Sequence, residues 1–562
     1  MTKLLTDPFL QNPTATTIKV VWFTEFAGSQ HLIKYGENLN QTSMSGDKPL
    51  RVYATTTKLT RTREDQKSRV GNQTEDGQIY QKPTIRHIWR HEAEVTGLTP
   101  GIKVNYYVTS ITEDNRSINS NIFTLAPLPT PNQPLKILLT SDHQIKPMVA
   151  ANLQKVVETL GQVDAVWFAG DLVNNCDRAS EWFDDNRGNG FFPCLQGKAN
   201  YPIDGDEVKI VYTGGKIIQN APIFTCIGNH ELMGRYARED SLNGEFDDTV
   251  PQHIAKELYG NNLGKDKLKD NSFNTNTYEE IFTLPESKEG GKTYYAVSFG
   301  DVRLVVLYAT NMWRFSSSEN GRKGKYSEVE TDLENPENWG YGQIIYEPIH
   351  QGSTQYNWLE KELNSDEFQK AKYKVVMLHH PPHTLGDNIV PAYTEPVQII
   401  EQDNTGKIKA VRYEYPKDKD YLIRDVMPLL EAAKVQLVFF GHSHLWNRFV
   451  SDSRMHFLET SNVGNSYGAA YGNRKRENIP VISNDNCSMN YVAIADPNGL
   501  EPVIPTIAPI LAEDGQAMPF ISSNQITVFS IFDTGTGTVS SYRFDTRKVN
   551  AEVIKFDEFK LN

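Results

Sequence analysis

Three consecutive stretches decide the architecture of the larger part of this chain: LKILLTSD (Leu135–Asp142), VAANLQKVVETLG (Val149–Gly161) and DAVWFAGD (Asp164–Asp171). The first and third are short apolar runs that break into polar residues, as buried parallel strands do. The middle stretch repeats its apolar residues at helical spacing and is closed by Gly161, a residue suited to a helix end. Strand, helix and strand within roughly 30 positions make one βαβ unit. Asp142 and Asp171 are then placed at the C-terminal ends of neighbouring parallel strands, where open α/β sheets hold their ligands.

Three later stretches repeat the form of an apolar strand running into a polar tip: APIFTCIGNHE (Ala221–Glu231), KYKVVMLHHPPH (Lys372–His383) and VQLVFFGHSH (Val435–His444). Each tip carries histidine. Long polar stretches separate them, roughly Leu232–Lys292, Trp313–Gly352 and Thr384–Asp420. They are too long for simple connections and are expected to form lids or walls over a site. Near the end, ITVFSIFDTGTGTVSSYRFD (Ile526–Asp545) reads as a hairpin with a Gly-rich turn.

Upstream, TIKVVWFTEF (Thr17–Phe26), HLIKYG, RHEAEVTGL, VNYYVTSI and INSNIFTLA alternate as strands do, with turn residues between them. They predict a small all-β sandwich over residues 1–126, with its aromatic residues in the core. LAPLPTPNQP follows, and Pro127, Pro129, Pro131 and Pro134 make residues 127–134 a stiff, extended linker. The catalytic domain is then expected over 135–562.

Bulk properties narrow the function. With 562 residues, two or more domains are expected. A net charge of −13 argues against broad electrostatic capture of nucleic acid, and no apolar run approaches the length of a membrane span. The first residues, MTKLLTDPFLQNP, lack the form of a secretory signal, which predicts a cytoplasmic protein. Cys176, Cys194, Cys226 and Cys487 form no CxxC pair, so zinc knuckles have little support.

Hydrolysis of a phosphate ester needs a nucleophile at neutral pH and neutralisation of the anionic phosphate oxygens. A pair of metal ions held by N and O ligands supplies both. The strand tips offer Asp142, Asp171, Asn229, His230, His379, His442 and His444. Read together, SDHQ, GDLV, GNHE, HHPP and GHSH resemble the ordered signature of the calcineurin-like metallophosphoesterases. The stretch HEAEVTGLTPGIKVNYYVTSI resembles fibronectin type III modules. Such a module in front makes the chain most similar to the purple acid phosphatase branch, a resemblance that runs from about Ile18 to His444.

The resemblance implies a fibronectin-like sandwich followed by a four-layer α/β/β/α domain with two mixed sheets. It implies two metal ions (Fe, Mn, Zn or Mg) and hydrolysis of small phosphate mono- or diesters by metal-bound hydroxide. Asp171 would bridge, Asp142 and His444 would complete the first ion, and Asn229, His379 and His442 would hold the second. His230 would donate to the leaving oxygen. Glu231 would orient His230, and Glu231 and His383 would lie within reach of substrate.

Two positions depart from the pattern. The wider superfamily has His two residues after the first Asp, and the purple branch has Tyr three residues after the bridging Asp. Here these are Gln144 and Asn174, either of which would serve as a metal donor or as a partner of the ligands. Without tyrosinate no purple colour is expected. The departure also keeps in view a phosphate-binding or adhesion protein with a decayed site; within the enzyme class the alternative is a phosphodiesterase acting on cyclic nucleotides, nucleotides or phospholipid head groups, a choice that the insertions would make. His143 and His380, each next to a proposed ligand, are expected to face away from the cluster, because neighbours on a strand alternate. Arg235 and Arg314 are weighed as phosphate clamps against ordinary surface arginines, with the surface reading favoured.

Overall fold

The computed structural model describes residues 3–36, 39, 49–73, 77–314, 324–388, 391–476 and 495–561. Cys487 lies outside them; Cys176, Cys194 and Cys226 are buried free thiols.

The N-terminal part is a sandwich of a four-stranded and a five-stranded antiparallel sheet. Its central strand, Ile18–Thr24, is buried on both faces, which explains its nearly continuous apolar sequence. Val20 and Trp22 point into the sandwich core with Ile33, Tyr106 and Val108. Val21 and Phe23 join the core of the following domain instead. There Phe23 packs 5.0 Å from Phe183, and Phe9 lies 5.1 Å from Phe192. The Pro-rich segment after Leu125 contains neither helix nor strand up to Lys136.

The second part carries two sheets packed face to face with helices outside. One has six strands in the order Ile223–Thr225, Ala165–Phe168, Lys136–Thr140, Ile526–Asp533, Thr538–Asp545, Ile554–Lys560. Its first three strands are parallel, and the C-terminal hairpin continues it antiparallel from Lys136–Thr140. The other has seven strands, with Val302–Val306, Tyr373–Met377, Leu437–Phe440 and His456–Thr460 parallel at its centre. Trp167, Phe439, Trp446, Phe529 and Leu458 belong to the shared core between the sheets. The helix Val149–Leu160 ends at Gly161, whose φ is 74°, and Thr354–Leu363 begins at Ser353, whose hydroxyl accepts from the Tyr356 N–H. No helix among the described residues is long and apolar enough to cross a membrane.

The three long polar stretches do not hang separately. Val250 and Ala255, Tyr326, Leu333 and Trp339, and Val411, Tyr413 and Tyr415 come from all three and form one small hydrophobic core. Arg235 is buried and bonds Asp248 through two nitrogens at 2.7 Å, and Arg314 pairs with the same carboxylate. The favoured surface reading of both arginines is therefore corrected. They staple the insertions together, because a bidentate guanidinium repays its burial only with a matched carboxylate.

Candidate active site

All five tips meet at one edge. The strands Lys136–Thr140, Ala165–Phe168, Ile223–Thr225, Tyr373–Met377 and Leu437–Phe440 end within a few residues of it. Asp142, Asp171, His379 and His444 are buried there. Asp171 Oδ2 lies 3.3 Å from His379 Nε2. His379 Nε2, His442 Nδ1 and Asn229 Oδ1 form a triangle with sides of 3.1, 3.2 and 2.9 Å. On the other side, Asp142 Oδ1 lies 3.4 Å from His444 Nε2. One ligand atom each from Asp142, Asp171 and His379 falls within 4.8 Å of the others.

The orientation of these groups follows from their outer bonds. His379 Nδ1 donates to the Ala169 carbonyl at 2.7 Å and His444 Nδ1 to the Asn465 carbonyl at 2.9 Å. With an ion bound, the Nε2 lone pair of each ring would then face inward, as in metal-binding histidines. Asp142 Oδ2 accepts from the His442 N–H and the Ser141 hydroxyl, while Asp142 Oδ1 is buried without a hydrogen-bond partner. A buried carboxylate oxygen without a donor is costly unless a cation completes it. The donor set therefore fits metal ions.

Backbone strain concentrates at the same edge. Asp142, Gln144, Ile145, Asp171, His442 and His444 all have positive φ, between 40° and 81°. Non-glycine residues hold such conformations at sites where the surrounding structure over-determines them. A Cβ at Gly228 would collide with the Asp171 carboxylate and one at Gly441 with the Asp142 carboxylate, so GNH and GHSH need glycine for close approach.

Electrostatics draw positive charge inward. Burial disfavours the charged form of Asp171, yet His379 and His230 hold it well below the carboxylate range. Burial would likewise lower His379, but the Asp171 carboxylate raises it to about 10. His230 lies below its ordinary value because it is buried. Its Nδ1 donates to the Asn174 carbonyl at 2.6 Å, its N–H donates to Asp171 Oδ1 at 2.9 Å, and its Nε2 is 4.0 Å from Asp171 Oδ2. Phe246 stacks on its ring.

The departures from the family pattern are visible in place. Gln144 turns its amide onto Asp171 Oδ2 at 2.5 Å. Asn174 contributes backbone, accepting from His230 and donating to Glu181.

Two residues expected near substrate are engaged elsewhere. Glu231 is buried, and its oxygens accept the N–H groups of Gly228, Asp171 and Leu172 at 2.7–2.8 Å. It fixes the backbone under Asp171 rather than the His230 ring, and burial with the nearby Asp171 charge pushes it up to about 8. His383 bonds Asp496 at 2.8 Å and packs edge-on to Phe457. His143 bonds Thr140 and packs on Phe168, so it faces away from the cluster as expected, although its strand has already ended at Thr140. His380 does not turn away: its ring lies 4.0 Å from that of His442. The strand ends at Met377, so alternation no longer governs residue 380.

Sequence reasoning missed Glu459, a buried carboxylate that accepts from the Ser443 N–H and from Ser461, and so holds the GHSH loop from below. It also missed Tyr467, whose ring stacks on His444. Glu459 is the one polar residue with a local signal, an acid inside the strand His456–Thr460.

This arrangement agrees with what the chain resembles. Residues 135–445, more than half of the chain, match the calcineurin-like phosphoesterase family. Among solved structures, the purple acid phosphatase PPD1 from yellow lupin (Lupinus luteus) seeds is 12% identical, with 98% of this chain and 74% of that one covered and a TM-score of 0.53. A structure of PhoD is 10% identical, with 98% and 89% covered and a TM-score of 0.47. No curated protein matches the sequence. The fold is thus that of a purple acid phosphatase, and the chain belongs to the calcineurin-like phosphoesterases, metal-dependent hydrolases of phosphoric esters.

Proposed function

We propose that the chain hydrolyses phosphate monoesters or diesters at a two-metal centre, without a phospho-enzyme. The observation that carries this reading is the buried, lone-pair-rich arrangement in which Asp171 lies between the Asp142–His444 pair and the Asn229–His379–His442 triangle. Asp171 would be shared by both ions. Asp142 and His444 would complete the first, with Gln144, Asn174 or water as a further donor. Asn229, His379 and His442 would hold the second. Oxygen and imidazole donors suit Mn, Zn, Fe or Mg. Such a pair, when bound, supplies a hydroxide nucleophile near neutral pH and offsets charge on the phosphate oxygens.

The remaining work belongs to the protein. Ala169 and Asn465 carbonyls keep His379 and His444 in the ligating tautomer. Glu231 and Glu459 hold two of the strand tips at fixed spacing. His230, anchored at Nδ1 by Asn174, presents Nε2 with its side chain 19% exposed. From there it would hydrogen-bond the phosphate or give a proton to the leaving oxygen.

Nitrophenyl phosphate and a panel of mono- and diesters, assayed with Mn, Zn, Fe and Mg, test this reading on the wild type and on Asp171→Asn. Metal-dependent turnover that vanishes in the variant supports it. An Asp171→Asn variant as fast as the parent, or phosphate binding with one ion or none and no turnover, would leave the phosphate-binding reading standing instead.

A further inference from the structure

A cavity of about 40 Å³ opens beside the proposed metal ligands, and His442 forms part of its wall. His380, Asn388, Gln343 and Tyr393 also line it. Five polar atoms here, His380 Nδ1, His380 Nε2, Asn388 Oδ1, Gln343 Oε1 and Tyr393 Oη, are buried with no hydrogen-bond partner among the described residues. His380 itself is 3% exposed. Buried polar groups are nearly always satisfied, so five orphans around one cavity ask for a ligand or ordered water.

The character of the missing partner follows from the wall. Asn388 Nδ2 already donates to the His442 carbonyl at 2.9 Å and Gln343 Nε2 to Asn311 Oδ1 at 2.5 Å, which leaves both amide oxygens as acceptors. A neutral imidazole adds one donor and one acceptor. The charged residues of the wall are occupied: Lys417 by the Pro497 carbonyl, Asp496 by His383 and Thr384, Asp420 by the Tyr393 and Ile423 N–H groups. Three acceptors, one imidazole donor and a Tyr393 hydroxyl that can give or take a hydrogen bond, with Lys417 tied to a carbonyl, suit neutral hydroxyl groups. The half-exposed Asn388, Pro497 and Asn498 leave the cavity open to solvent on one side. On the other, the His380 ring lies 4.0 Å from His442, whose Nδ1 is 2.9 Å from Asn229 Oδ1.

We propose that this cavity is a subsite for a hydroxyl-bearing leaving group, so that polyol or sugar phosphates are preferred over plain alkyl phosphates. The proposal rests on the phosphoesterase reading above. His380 contacts the leaving group as donor and acceptor, and Gln343 and Asn388 accept its hydroxyls. The volume admits two or three heavy atoms, the size of one hydroxymethyl arm.

The test compares glycerol 3-phosphate with propyl phosphate, which has the same carbon skeleton and phosphate but lacks both free hydroxyls. On the metal-loaded wild type, kcat/KM for the glycerol ester is expected to be at least about tenfold higher, because the analogue leaves buried acceptors unpaired. His380→Phe should bring that ratio close to one. Gln343→Leu should lower it too and remains informative if His380→Phe loses metal or fails to fold. Equal kcat/KM for the two esters in the wild type, or neither cleaved while nitrophenyl phosphate is, would mean the cavity holds water only and overturn the subsite. If nitrophenyl phosphate is also inert with every metal, it is the phosphoesterase reading that fails.

Discussion

Two buried polar regions of this molecule differ in one respect that separates structure from chemistry. Beneath the N-terminal sandwich, Arg63 meets Asp177 and Glu245 at 2.6–2.7 Å, Arg86 meets Glu64 and Asp184, and Arg178 meets Asp65 and Glu181. Each buried guanidinium has its carboxylates, and the network is closed. At the strand tips, by contrast, amide and imidazole groups that can act as ligands crowd together at about 3 Å, and Asp142 Oδ1 has no donor. The closed network joins two parts of the chain. The open one calls for ions.

The comparison breaks first at Asp171. Asp171→Asn should lower kcat by about 10³ or more, since metal-ion charge stabilisation is worth several kcal/mol at about 1.4 kcal/mol per tenfold, while circular dichroism shows an unchanged fold. In the closed network the opposite pattern is expected. Arg63→Met strands Asp177 and Glu245 in the interior and should cost about 3–5 kcal/mol in denaturant unfolding, with metal content per folded chain unaltered.

Glu231→Gln sharpens the boundary between the two, because Glu231 bonds backbone N–H groups yet lies directly under Asp171. Metal affinity should fall by about 10- to 100-fold, the usual penalty for disturbing a group that orients ligands, as read by competition with a chelator. A purely structural Glu231 would lower stability and leave affinity alone.

A buried histidine pair in the sandwich gives the smallest effect and a third kind of polar burial. His91 bonds Thr24 and Thr56 through its two ring nitrogens and stacks 3.5 Å from His31. Burial, with the neighbouring His31 and Arg90, lowers His91 to about 2, and burial lowers His31 as well. The folded state therefore refuses protons that the unfolded chain accepts near pH 6.5. Stability is full above that pH and is lost progressively as pH falls from about 6.5 toward 2. The denaturation midpoint should drop between pH 7 and 4, and His91→Gln should flatten that slope.

Much of this was legible in the sequence, for a physical reason. The tips were readable because each is local: a short apolar run, a glycine and a chemically specific residue. The βαβ unit and the Ile526–Asp545 hairpin were readable from periodicity and turn residues alone. What escaped is long-range polar pairing. Arg63 finds Glu245 across 182 positions, and Arg235 looks like a surface residue until Asp248 is folded against it. His380 was misjudged because the alternation rule was carried past the strand's last residue. The insertions were recognised as walls, but their joint core depends on tyrosines and valines whose partners lie in other insertions.

Whether Asp171 joins two ions can be seen directly. Crystals of the full chain grown with Mn²⁺ should give two anomalous difference peaks about 3.5–4 Å apart, one touching Asp142 and His444, the other Asn229, His379 and His442, with Asp171 between them. A single peak, or peaks that leave Asp171 untouched, would contradict that bridge.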